Sequence, residues 1–132
     1  MKIIKNKILE RLRNKTKNMN EIQKFNYLYK NYADFYSMIE DIERFFRLNI
    51  KESLEEIIFF YEDPYDLSSG EHSYLHRNFD DIEEYIKNIP PIIRIYLESG
   101  DILGNDGNHR INTCRFYNVK VPTIAVFIDK YR

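Results

Sequence analysis

Apolar residues recur at helical spacing through the first 61 residues. Ile4, Ile8 and Leu12 stand four apart with Leu9 beside them, which predicts one amphipathic helix. Residues 14–20 are polar and Asn-rich, a break. Asn20 followed three residues later by Gln23 has the form of a capping box. A second helix is therefore expected, carrying Ile22, Phe25, Leu28, Tyr29, Tyr32 and Phe35. A third uses Ile39, Ile42, Phe45 and Phe46, and Asn49 is the expected cap of a fourth with Leu54, Ile57, Ile58 and Tyr61 inside it. Aromatic stripes at this spacing read as core, not as a cofactor box.

The period then changes. Residues 63–70 form a Pro-, Ser- and Gly-containing turn cluster. Asp80 is the expected start of a short helix with Ile82, Tyr85, Ile86 and Ile89, stopped by Pro90-Pro91. Residues 92–97 are a β-branched run of strand length. A turn at 98–101 and extended residues at 102–103 complete a hairpin. A polar turn at 105–108 precedes a helix with Ile111, Cys114 and Arg115 or Phe116, which Asn118 can end in a left-handed conformation. Residues 121–128 are almost wholly apolar, a strand buried on both faces, with Pro122 at its start. The expected fold class is α+β. A helical N-terminal half packs on a small mixed sheet from the C-terminal third.

Composition narrows the class. The chain has 132 residues, 43% of them hydrophobic, enough for one domain over 1–132 without a metal or disulfide staple. A net charge of −1 argues against a wholly basic nucleic-acid binder. The single Cys114 excludes an internal disulfide framework. No apolar run approaches the roughly 20 residues of a membrane span, and no secretory signal is visible at residues 1–5, so a cytoplasmic location is expected. Charge is uneven. Residues 1–18 carry Lys2, Lys5, Lys7, Arg11, Arg13, Lys15 and Lys17 against Glu10, while residues 38–66 carry nine acids against three bases. The basic run at residues 2–17 reads either as a solvated or internally paired face or as a nucleic-acid arm, though no aromatic is interleaved to stack on a base.

The stretch that carries chemistry is Gly104-Asn105-Asp106-Gly107-Asn108-His109-Arg110, between a strand and a helix. Glycine lets the backbone turn sharply and approach a ligand. The helix start directs unpaired N–H groups into the same space, and His109 and Arg110 add donors, the parts of a phosphate or carboxylate pocket. The plain alternative is a glycine turn with Asp106 as N-cap.

Asp106-Gly107-Asn108-His109-Arg110, the following Ile111-Asn112-Thr113-Cys114 and the downstream Asn118-Val119-Lys120-Val121-Pro122 resemble the ParB/sulfiredoxin-like superfamily. The resemblance covers roughly residues 76–129 and leaves 1–62 as an unmatched helical extension. It implies a nucleotide-phosphate site, with ATP, ADP or CTP left open. His109 and Arg110 would hold phosphates and the N–H groups of Gly107 and Asn108 would assist. Asp106 and His109 would be the catalytic candidates if a phosphotransferase or hydrolase is present. Asp106 beside phosphates would hold Mg²⁺ through water, act as a base or cap the turn. Sulfiredoxins place a cysteine directly before the box histidine; Asn108 stands there in this chain, so that chemistry is not expected. No helix-turn-helix reader follows the box in this sequence, so plasmid partition is not the expected role either.

Other features are weaker. His72 and His76 are four apart but lack an evident third ligand, so no metal site is expected; His76 and Arg77 read better as a second rim of the box. Glu83, Glu84 and Glu98 are further acids that nothing selects. Two functions follow: a nucleotide-dependent enzyme, or a non-catalytic nucleic-acid- or protein-binding accessory protein of mobile-element or phage type.

Overall fold

The computed structural model describes residues 1–67 and 81–129. The helices are α1 (Lys7–Thr16), α2 (Glu21–Asn31), α3 (Ala33–Phe46), α4 (Ile82–Asn88) and α5 (Asn108–Tyr117). The strands are β1 (Leu54–Glu62), β2 (Ile92–Tyr96), β3 (Ile102–Asp106) and β4 (Val121–Ile128). They form one mixed sheet in the order β1-β4-β2-β3, with β4 antiparallel to β1 and parallel to β2, and β2 antiparallel to β3. No helix among the described residues is long and apolar enough to cross a membrane.

The α+β class and the shared sheet of residues 92–96 and 121–128 follow the sequence pattern. So does the capping box. The Asn20 side chain accepts from the Gln23 N–H, and the Gln23 side chain accepts from the Asn20 N–H, both at 2.9 Å. Asn118 ends α5 at φ 57°, ψ 47°.

Four expectations need correction. The fourth helix is a strand: after a 3₁₀ turn at Lys51–Ser53 the chain runs extended through β1. Ile57 and Phe59 face the helical layer, while Ile58, between them, faces the other side. The sheet is therefore built from both halves of the chain. Second, Phe35 belongs to α3, because Tyr32 leaves helical geometry at φ −127°, ψ 102°. Third, Phe45 does not join the core and is 79% exposed. Fourth, the cap of α4 is Asp81, whose side chain accepts from the Glu84 N–H; Asp80 lies outside the described residues.

Each sheet face has its own core. Against one, α1 to α3 bury Leu9, Leu12, Phe25, Leu28, Phe35 and Ile39 over Ile57, Ile93, Ile95, Ile124 and Val126. Against the other, Ile86 of α4 and Ile111 and Cys114 of α5 meet Ile92 and Val121.

The exposed side of β1 is closed by helix side chains. Glu21 of α2 accepts from the Ile57 N–H at 2.5 Å, and Arg13 of α1 donates to the Phe59 carbonyl at 2.6 Å. These contacts occupy backbone groups that an edge strand otherwise offers to another chain. They also account for part of the N-terminal charge. Arg13 pairs with Glu10 at 2.9 Å, Lys5 lies over the Tyr61 ring and Lys2 contacts Glu83.

Candidate functional site

The box spans the end of β3 and the start of α5, and the turn expected at 105–108 is shorter: Asn105 and Asp106 still pair with Arg94 and Ile93, and Asn108 already opens the helix. The N-cap is Gly107, not Asp106. Gly107 has φ 108°, ψ 32°, and a Cβ there would lie 2.3 Å from Ile92 Cγ2. The turn thus needs a residue with no side chain, in a conformation that L residues rarely adopt. That displaces aspartate from the capping position.

The start of α5 differs from every other α-helix. Helices α1, α2 and α4 are capped by the side chains of Asn6, Asn20 and Asp81. Helices α1 to α4 all have an acid in the first turn. α5 has no side-chain cap and no acid there, and its first turn holds Asn108, His109 and Arg110. A cation such as Arg110 at the positive end of a helix dipole is unfavourable unless an anion joins it.

His109 and Arg110 take different courses. His109 is exposed, and its carbonyl accepts from Thr113 Oγ1 at 2.9 Å. Arg110 Nη1 donates to the carbonyls of Pro90 and Pro91 at 2.6 and 3.2 Å. It ties α5 to the connection between α4 and β2. Arg115, later on α5, donates to the carbonyls of Pro64 and Leu67 at 2.9 and 2.6 Å, binding the helix to the segment after β1. Cys114 is fully buried, and burial pushes its thiol up to about 12, so it is no nucleophile at neutral pH.

The structure adds three side chains that the sequence reading missed. Arg94 is 1% exposed and alternates with Ile93 and Ile95, so it lies on the same sheet face as Ile92, the residue beneath Gly107. Its cross-strand neighbour is Asn105 of the box. Arg94 Nε donates to Tyr96 Oη at 2.8 Å, and Tyr96 Oη donates to Glu62 Oε1 at 3.1 Å. A polar chain therefore crosses the sheet from β2 to the end of β1. Its one visible signal was a charge inside an apolar strand run.

Glu62 is held above the ordinary carboxylate value, chiefly by burial, against the pull of the Arg94 charge. A carboxyl with a raised folded value binds its proton more tightly in the folded state. Its stabilising contribution is complete below the ordinary value of 4.5 and is lost as pH rises through the folded value. We expect the urea midpoint of the parent to fall more between pH 4 and 7 than that of Glu62→Gln. Parallel curves would show that Glu62 does not titrate in this way.

His72, His76 and Arg77 lie outside the described residues. Glu83 contacts Lys2, while Glu84 accepts from Asn88, so neither is drawn to the box by these contacts. Among the described residues no group of three or more His, Cys, Asp or Glu could hold a metal ion. No known protein family, curated protein or solved structure matches the chain.

Proposed function

We propose that the start of α5 binds the phosphate of a nucleotide, in a box of the ParB/sulfiredoxin-like type. The observation that carries this is the electrostatics of that helix start: a left-handed glycine, no side-chain cap, no acid, and His109 and Arg110 in the first turn. The order β3, glycine turn, α5, Asn118 turn and Pro122-containing β4 supports the resemblance. Exposed His109 is the direct side-chain donor in this reading. Arg110 serves first as a tie to Pro90 and Pro91.

His109→Glu separates ligand binding from folding. It places an acid where helix starts favour one, which stabilises by about 0.3–1 kcal/mol. The ligand-free protein should therefore melt at the same or a slightly higher temperature. The same charge would repel a phosphate. Calorimetric titration with ATP, ADP and CTP, with and without Mg²⁺, should show binding by the parent and a loss of about 1.5–3 kcal/mol in His109→Ala. In His109→Glu binding should be lost. Arg110→Ala should lower the melting temperature as well as affinity. Failure of all three nucleotides to bind the parent would reject the nucleotide reading and favour the non-catalytic accessory class.

A further inference from the structure

On the opposite sheet face from the box, the last turn of α3 and the outer edge of β3 enclose an open groove of about 770 Å³. Its walls include Ile42, Phe45 and Leu103, and Asp41, Arg44 and Arg47 line it as well. We propose that this groove docks an extended acidic peptide segment of a partner protein. An apolar side chain would fill the groove, a carboxylate would meet the arginines, and the peptide backbone would run along β3.

The two edges of the sheet are treated differently. β1 is closed by Glu21 and Arg13, whereas β3 is hydrogen-bonded within the sheet to β2 alone. Its register slips between Ile95 and Tyr96, so Leu103 is an extra residue in the strand, and Leu103 lines the groove. At Gly104 the helix sits close: a Cβ there would lie 2.5 Å from Ile42 Cδ1. Next to that contact Leu103 is only half-buried.

Phe45 is the most exposed of the large hydrophobic residues described, yet its ring is held edge-to-face on Phe46 at 4.8 Å between centroids. A ring fixed in water is a ready contact, since little side-chain freedom remains to be lost on binding. An extended segment added to an open edge obtains affinity from the backbone and selectivity from alternate side chains.

Charge selects among occupants. Asp41 offsets Arg44 through a long contact of 3.8 Å between exposed groups, so the rim remains net positive. A second copy docked about a two-fold axis would face this rim with itself, like charge to like. A nucleic acid would need a longer row of cations along its phosphates than Arg44 and Arg47, one of which already faces Asp41. A short peptide with one or two carboxylates matches the two arginines in number.

The probes are two fluorescein-labelled decapeptides with Phe and Ile at alternate positions and Ser or Thr between them, one with a central Asp and Glu in place of two of those hydroxyl residues and one with Lys at the same two places. Anisotropy should show saturable binding of the acidic peptide and at least tenfold weaker binding of the Lys form. Phe45→Ala, at an exposed site, should leave the melting temperature unchanged and weaken the acidic peptide at least tenfold. Arg44→Glu with Arg47→Glu should reverse the preference toward the Lys peptide. N-methylation of alternate backbone amides should abolish binding in one register and spare it in the other. Absence of binding, or equal affinity for both peptides, would overturn the proposal. So would a concentration-dependent dimer abolished by Phe45→Ala, or binding of a single-stranded oligonucleotide lost in the same variants.

Discussion

Gly107→Ala should unfold the protein more readily than any exposed substitution. At φ 108° an alanine backbone is strained by about 1–3 kcal/mol. Its Cβ would also stand 2.3 Å from Ile92 Cγ2 and 3.0 Å from Ile92 Cβ, on a side chain with no exposure. Forcing a methyl into such a place adds a further ~1–3 kcal/mol. The combined loss of about 2–6 kcal/mol corresponds to a fall in melting temperature on the order of 10 °C or more. Gly100→Ala isolates the backbone part, because Gly100 has φ 90° and a methyl added there would meet no atom within 4 Å, so its effect should be clearly smaller. Ile92→Ala removes the Cγ2 atom and opens space, so the Gly107→Ala/Ile92→Ala pair should be less unstable than the two losses added together. Strict additivity in thermal melts would show that Ile92 is not what Gly107 avoids.

Asn6→Ala should be of similar severity for a different reason. Asn6 is fully buried at the head of α1. Its Oδ1 accepts from the Leu9 N–H at 2.8 Å, and its Nδ2 donates to the carbonyls of Ile86 and Ile89 at 2.7 and 2.8 Å. One side chain thus caps α1 and satisfies the C-terminal carbonyls of α4, 80 residues away or more. Loss of the cap costs about 0.5–2 kcal/mol, and each buried carbonyl left unpaired adds ~1–3 kcal/mol. A fall of about 2.5–8 kcal/mol in urea unfolding is expected. Asn6→Asp keeps the capping oxygen but turns the other end into an acceptor facing two acceptors. It should be at least as unstable as Asn6→Ala at pH 7 and recover in part at pH 4, where the acid can regain a proton. If Asn6→Asp matches the parent at pH 7, the link to α4 contributes nothing.

Much of this architecture was legible locally. The capping box at Asn20 and Gln23, the Pro90-Pro91 stop, the hairpin of residues 92–97 and 102–103 and the left-handed Asn118 are each specified by residues within a few positions of one another. Their physics is short-range: caps, turn conformations and β-branching. The box was legible in the same way, as a glycine between a strand and a helix. Its cap was not, because the choice of Gly107 over Asp106 depends on Ile92, fifteen residues earlier in the chain.

Where two periods fit the same residues, only tertiary structure decided. Leu54, Ile57, Ile58 and Tyr61 suit a helix by spacing, and the same segment suits a strand by its Ile, Phe and Tyr content. Pairing with β4, from Leu54 against Ile128 to Glu62 against Val121, settled it. Phe45 has the spacing of a core residue, but it stands 79% exposed near the end of α3. Arg94 reads as an interruption in an apolar strand until Tyr96 and Glu62 are brought beside it. By itself the sequence determined the caps at Asn20 and Asn118, the turn at 98–101 and the period of the C-terminal strands, since those depend on neighbours along the chain. The edge position of β1, the burial of Arg94 and Asn6, and the exposure of Phe45 depend on neighbours in space, and only the packed sheet and helices supply them.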